Sequence, residues 1–214
     1  MASENSIALI HSGRGNIKSL MNALERIGTG YFIAKTPGEL DRAHGIVFPG
    51  VGSFGALMDF LRHEGFQESL VRAIRNGVPY LGICVGMQVL FERSEEFGNH
   101  EGLGVLKGEV SQIQRKDSAM KVPHVGWNQV SLRCDRRPRL DPPWEGKSPF
   151  FYFTHSFVCR PSDDDCVFGV SDYFGEFASL VQEDNILACQ FHPERSGEEG
   201  LAFLEWFVQS FALR

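Results

Sequence analysis

Residues 80–91 read Tyr80-Leu81-Gly82-Ile83-Cys84-Val85-Gly86-Met87-Gln88-Val89-Leu90-Phe91, and the change of texture inside this stretch sets the fold class. Tyr80 to Ile83 is a short apolar run of the kind that forms a buried strand, and Met87 to Phe91 continues as helix. Between them, Gly82 and Gly86 flank a single cysteine. Glycines at that spacing permit a sharp strand-to-helix turn that lifts the side chain of Cys84 above a sheet edge. A thiol held at the start of a helix is placed to act as a nucleophile. A small, inert cysteine in a tight turn is the competing reading. It stands for Cys134, Cys159, Cys166 and Cys189, which lack the glycine frame.

The same alternation of strand and helix runs back to the N-terminus. Ile7 to Ile10, Tyr31 to Ala34 and Gly45 to Phe48 are short apolar strands, the last stopped by Pro49 and Gly50. Ile17, Leu20, Met21, Leu24 and Ile27 recur at helical spacing, with Asn16 as a candidate cap and Gly28 and Gly30 as breakers. Helices are predicted over Ser53 to Arg62 and Phe66 to Arg75, the second ended by Asn76 and Gly77. Strands this short and apolar, separated by helices, favour a parallel sheet covered on both faces. From Gly102 to Gln190 strand-like segments dominate: Val105 to Ile113, Phe150 to Val158, Val167 to Val170 and Ile186 to Phe191. Pro138, Pro142, Pro143 and Pro149 punctuate a loop before the second of these, and Glu198 to Leu213 reads as a closing amphipathic helix. The expectation is one α/β domain over residues 1–214, its mixed, mostly parallel sheet flanked by helices and carrying an antiparallel portion.

Composition excludes several classes. The chain has 214 residues, 43% of them hydrophobic and 22% charged, with a formal net charge of −6. That is enough apolar material for a sizeable core, and the acidic balance argues against a nucleic-acid binder. No apolar run approaches roughly 18 residues, so no membrane span is expected. Met1 to Ser6 lack the pattern of a signal peptide. Five irregularly spaced cysteines without a CxxC pair predict neither a metal site nor a disulfide framework, and point to a reduced, cytoplasmic compartment. No cofactor is expected.

Two further segments carry chemistry. In Gln190-Phe191-His192-Pro193-Glu194, His192 can take the thiol proton and deliver it to a leaving group, while Glu194 fixes its tautomer. Phe48-Pro49-Gly50-Val51-Gly52-Ser53-Phe54-Gly55 ends the third strand. Its alternating glycines let backbone N–H groups turn into a cavity, which suits an oxyanion and would suit a phosphate too.

Together these segments resemble the class I, triad-type glutamine amidotransferases, whose two signatures are the cysteine elbow followed by Met87-Gln88 and the Phe-His-Pro-Glu run at 191–194. Pro-Gly-Val-Gly-Ser-Phe-Gly at 49–55 is similar to the oxyanion segment of one subgroup, the glutaminase subunits of imidazole glycerol phosphate synthases. Pro123 to Asn128, Tyr152 to Phe157 and Arg14-Gly15-Asn16 resemble other segments of that subgroup, so the likeness spans nearly the whole chain. It implies Cys84 as nucleophile, His192 as general base and acid, and Glu194 as orienter. It further implies Gly52 and Val85 as oxyanion donors, and Gln88, Glu96 and Ser156 around the amino-acid head of glutamine. Trp127 and Asn128 would lie at the docking face for a cyclase subunit, a (β/α)8 barrel forming a heterodimer with this chain and receiving the ammonia. Where the family often has Asp-Tyr-Gly after its first strand, this chain has His11-Ser12-Gly13, which leaves open a paralogue feeding another synthase, of surface sugars or pyridoxal phosphate. Gly-Val-Gly-Ser at 50–53, in place of Gly-Gly-Glu-Ser, counts against the pyridoxal phosphate branch. From another class, a redox-sensing module with a reactive Cys84 remains a rival, against which an intact His192–Glu194 pair argues.

Overall fold

The computed structural model describes residues 6–13, 15, 17–115, 120–133, 142–144 and 146–212. Asn16, Cys134, Pro138 and Leu213, all used in the sequence reading, lie outside them. The main sheet has eight strands. β1 (Ile7–Ile10), β2 (Tyr31–Ala34), β3 (Gly45–Gly50) and β4 (Tyr80–Cys84) come first. β5 (Ser131–Leu132), β6 (Val167–Asp172), β7 (Glu176–Glu183) and β8 (Ile186–Cys189) follow. Their spatial order is β2-β1-β3-β4-β8-β7-β6-β5. The first five are mutually parallel and the last three join antiparallel.

The parallel strands β1, β3, β4 and β8 are buried almost throughout, as continuous apolar runs covered on both faces must be. Helices α1 (Lys18–Arg26), α2 (Phe54–His63), α3 (Phe66–Arg75), α4 (Val85–Gln88) and α5 (Gly197–Phe207) supply the cover. α1 packs on α5, and α2 on α3. In α3 the apolar stripe Phe66, Leu70, Ala73 and Ile74 is buried at helical spacing. Ser53 caps α2, its Oγ accepting from the Ala56 amide at 3.4 Å.

Several sequence boundaries shift. β3 does not stop at Pro49 but runs through it to Gly50, in register with Ile83 and Cys84. Pro49 forfeits one ladder donor. The helix expected over Met87 to Phe91 is a single turn over Val85–Gln88. It stops because the carbonyls of Val89, Leu90 and Phe91 accept instead from the amides of Leu103, Val105 and Gly104. For the same reason the strand expected from Val105 begins only at Gly108 and ends at Gln112. Phe150 to Val158 splits at Ser156 into Phe150–His155 and Phe157–Pro161. The first pairs with His124–Gln129 in a two-stranded sheet, and the second joins Gly108–Gln112 in a separate four-stranded sheet. The closing helix ends at Phe207 and continues as π-helix over Val208–Ala212. No helix among the described residues is long and apolar enough to cross a membrane.

Candidate active site

The elbow forms as its glycines require. Cys84 has φ 55° and ψ −113°, a left-handed conformation that strains any residue with a side chain. Three glycines make the turn sterically possible. A Cβ on Gly86 would strike the carbonyl oxygen of Phe48, and one on Gly50 would strike the amide nitrogen of Gly86. One on Gly82 would lie 2.6 Å from the carbonyl oxygen of Gly86. That same carbonyl accepts a hydrogen bond from Tyr80 Oη at 2.7 Å, so a fully buried phenol anchors the turn to its own strand. Because α4 is one turn long, the helix dipole anticipated behind the thiol is small. What remains is the Val85 amide at the helix start, one of the N–H groups a first turn leaves without an intrahelical partner.

His192 reaches the same sheet edge along the neighbouring strand. β8 runs parallel to β4 with Cys189 opposite Ile83, so both carboxyl ends open together, where open α/β sheets gather ligands. His192 is 4% exposed, and its Nδ1 lies 2.8 Å from Glu194 Oε1. A carboxylate can only accept, so Nδ1 carries the proton and Nε2 is left for the cysteine. Nε2 has no regular hydrogen bond, yet it lies within the influence of the Cys84 sulfur. Burial pulls the imidazole pKa down. The nearby Cys84 sulfur and the hydrogen-bonded Glu194 carboxylate outweigh it and push the pKa up to about 10. The backbone of His192 is fixed as well: its amide donates to the Tyr152 carbonyl at 2.8 Å, and its carbonyl accepts from Ser196 Oγ at 2.6 Å.

A cavity of about 240 Å³ opens above these groups. Seven of the residues singled out in the sequence line it: Gly52, Cys84, Val85, Gln88, Glu96, Ser156 and His192. Glu194 stands behind His192. Gly52 has φ 99°, and beside it the Val51 side chain presses on Gly15, so the first loop closes over the glycine loop. Gln88 is buried, and its Nε2 donates to Phe157 O at 3.1 Å and to Gln190 Oε1 at 3.0 Å. Glu96 accepts from the Phe54 amide at 2.6 Å; desolvation raises its pKa, against that bond.

Trp127 and Asn128 lie elsewhere, on the two-stranded sheet. Trp127 is 57% exposed and meets Tyr152 edge-on, with ring centroids 6.3 Å apart. Val125 and Phe150 are exposed beside it, and the Arg195 guanidinium stacks 4.2 Å above the Tyr152 ring. Asn128 is committed locally, donating to Asp172 O at 2.8 Å.

Gln190, His155 and Arg195 were missed in the sequence as members of the site. Gln190 is fully buried, and its Nε2 donates to Cys84 Sγ at 3.6 Å. Its signal was its place immediately before Phe191-His192, on a strand end that had to face the elbow. His155 lines the cavity and donates from Nδ1 to Phe157 O at 2.9 Å, while its Nε2 faces His124 Nδ1 at 3.0 Å. Burial lowers both pKa values, to about 3 for His155 and about 4 for His124.

A family model for class-I glutamine amidotransferases matches residues 8–210. The imidazole glycerol phosphate synthase subunit HisH of Geobacillus thermodenitrificans is 41% identical over 205 residues, covering 94% of each chain. The chloroplastic imidazole glycerol phosphate synthase hisHF of Arabidopsis thaliana is 39% identical over 96% of this chain, which spans 34% of that longer protein. Among solved structures, a glutamine amidotransferase superposes with a TM-score of 0.73 at 19% identity, covering 96% of this chain and 99% of that one, which shows a shared fold. The chain therefore belongs to the class-I glutamine amidotransferase family, in the branch of the imidazole glycerol phosphate synthase HisH subunits.

Proposed function

We propose that this chain, as one domain over residues 1–214, hydrolyses glutamine and passes the ammonia to a cyclase subunit that forms imidazole glycerol phosphate and aminoimidazole carboxamide ribotide. The observation that carries the chemistry is the 2.8 Å bond from buried His192 to Glu194 beside Cys84 at the strained elbow. In this reading the Cys84 thiolate attacks the side-chain carboxamide carbon of glutamine. The oxyanion forms against the Val85 amide and the turn at Gly52. His192, charged through its Nε2, protonates the departing nitrogen, and ammonia leaves a glutamyl thioester on Cys84. Water, deprotonated by the now neutral His192, then releases glutamate. Glu194 holds the tautomer throughout. Gln88, Glu96 and Ser156 line the cavity and would hold the charged head of the substrate.

The acceptor follows from the branch to which the chain belongs. The match to one third of a longer hisHF protein supports a partner that other proteins carry on the same polypeptide. The exposed apolar face of Val125, Trp127 and Phe150 fits docking on a barrel subunit as a heterodimer, with Asn128 bracing its edge. Four buried free cysteines, Cys84, Cys159, Cys166 and Cys189, fit a reduced, cytoplasmic setting. Acid quenching during glutamine turnover, followed by intact-mass measurement, tests the chemistry. A glutamyl adduct that vanishes in Cys84→Ala supports it, and turnover that survives in Cys84→Ala contradicts it.

A further inference from the structure

We infer that Gln190 is a positioning residue of the glutaminase, a buried amide that holds the Cys84 sulfur as an anion and locks Gln88 in the orientation that receives the substrate. This rests on the glutaminase reading above and deepens it.

Gln190 follows the last residue of β8, and its side chain is fully buried. A buried amide is costly unless both of its ends are paired. Both ends of Gln190 are used inside the site. Its Oε1 accepts from Gln88 Nε2 at 3.0 Å, and its Nε2 points at Cys84 Sγ from 3.6 Å. Its own backbone amide is fixed by Ser179 O at 2.9 Å, so the side chain hangs from a rigid support.

The donor directions run one way. Phe157 O can only accept, so the amide nitrogen of Gln88 must face it; the same nitrogen serves Gln190 Oε1. That leaves Gln88 Oε1 for the cavity, an acceptor suited to the α-ammonium of glutamine. It also fixes Gln190 with its NH2 toward sulfur. An N–H donor favours thiolate over thiol, because the charged acceptor makes the stronger bond. One side chain thus links the nucleophile to the substrate's anchoring group.

Other titratable groups also face Cys84. His192, His155, Glu96 and Arg195 line the cavity, Glu194 stands behind His192, Cys189 lies on the strand beside that of Cys84, and buried Cys159, in the four-stranded sheet, also feels the sulfur. His192 supplies charge and Gln190 supplies a fixed dipole, so the two contributions separate by substitution.

The test is the pH profile of Cys84 alkylation by iodoacetamide, alongside steady-state glutaminase kinetics of the complex with its cyclase. Gln190→Leu removes both bonds. Gln190→Glu keeps the size and the acceptor for Gln88 but sets a carboxylate against the sulfur. Both variants should move the alkylation midpoint upward, by about one pH unit for Leu and further for Glu, slowing the reaction about tenfold near neutrality while the alkaline plateau stays. Gln190→Leu should also raise KM for glutamine, because Gln88 is freed to turn, whereas Gln190→Glu should lower kcat with less effect on KM. An unmoved midpoint in both folded variants overturns the inference, and so does a lowered plateau at an unchanged midpoint, the mark of a merely structural residue. Should Gln190→Leu fail to fold, the Gln190→Glu midpoint decides alone. Absence of glutamine turnover in the unsubstituted complex would overturn the glutaminase reading instead, since the alkylation profile needs no substrate.

Discussion

The amide of His192 donates to the carbonyl of Tyr152 at 2.8 Å, so the imidazole beside Cys84 hangs from the strand that carries the exposed aromatic face. Ser196 closes this link. Its Oγ accepts from the Tyr152 amide at 3.0 Å and donates to the His192 carbonyl at 2.6 Å. Ser196→Ala should leave the Tyr152 amide without its partner and the His192 carbonyl with the Arg195 amide alone, at 3.1 Å, and cost about 1 kcal/mol of stability, read by denaturant unfolding. Turnover should fall with it, because His192 loses the side-chain bond that ties its carbonyl to the Tyr152 strand. Unchanged stability and turnover would show that the link is incidental.

The elbow makes a steric prediction. Since a Cβ on Gly86 meets the Phe48 carbonyl, Gly86→Ala must push β3 and α4 apart. It should destabilise the domain by about 2 kcal/mol or more and abolish alkylation of Cys84 at neutral pH. Gly28→Ala is the control. Nothing lies within 4 Å of its missing Cβ, although its φ of 71° still makes the substitution mildly unfavourable.

Acid stability should report the histidine pair. His124 and His155 have folded pKa values of about 4 and about 3, below the ordinary 6.5, because burial disfavours their charged forms. The unfolded chain therefore binds more protons between those limits. Their contribution to stability is complete above about pH 6.5 and is lost as pH falls through 4 toward 3. His192 behaves oppositely. Its raised pKa contributes stability fully below pH 6.5, which is lost as pH rises through about 10. Urea midpoints measured from pH 4 to pH 10 should form a dome, and in His124→Gln its acid side should flatten.

Much of the site could be read from the sequence, because its pieces are short and local. Cys84, His192 and Glu194 each sit in a run whose glycines or proline dictate the backbone. Gln190 and His155 were not legible as members of the site. Each depends on a long-range approach, Gln190 to Cys84 between neighbouring strands and His155 to His124 across the two-stranded sheet. The strand Glu176–Glu183 also escaped notice, because its buried run Phe177 to Val181 lies between the Phe174-Gly175 turn and polar ends that read as loop. The boundaries that moved, at Pro49 and Met87, moved where carbonyls found partners far along the chain, as Val89 did with Leu103.

Trp127 tests the docking face. It is 57% exposed, so Trp127→Ala should leave the unfolding free energy within about 0.5 kcal/mol of the parent. Affinity for the cyclase should drop by about 2 kcal/mol, roughly 30-fold in Kd. Calorimetric titration of the two subunits reads this directly, and an unchanged Kd would move the interface elsewhere.

Gly52 is where the proposed oxyanion loop is expected to pivot. Gly50 is clamped against Gly86, whereas Gly52 has φ 99° and sits between Val51 and the Ser53 cap. A loop that turns at one residue can rest with its donors averted until the partner is engaged, sparing glutamine. The most direct measurement is glutamate release from glutamine by this chain alone, with the cyclase, and with the cyclase bearing its nucleotide ligand. The account predicts turnover that is low for the isolated chain and rises by orders of magnitude only with the loaded cyclase. Turnover that is equally high without the cyclase, or absent in all three conditions, would contradict it.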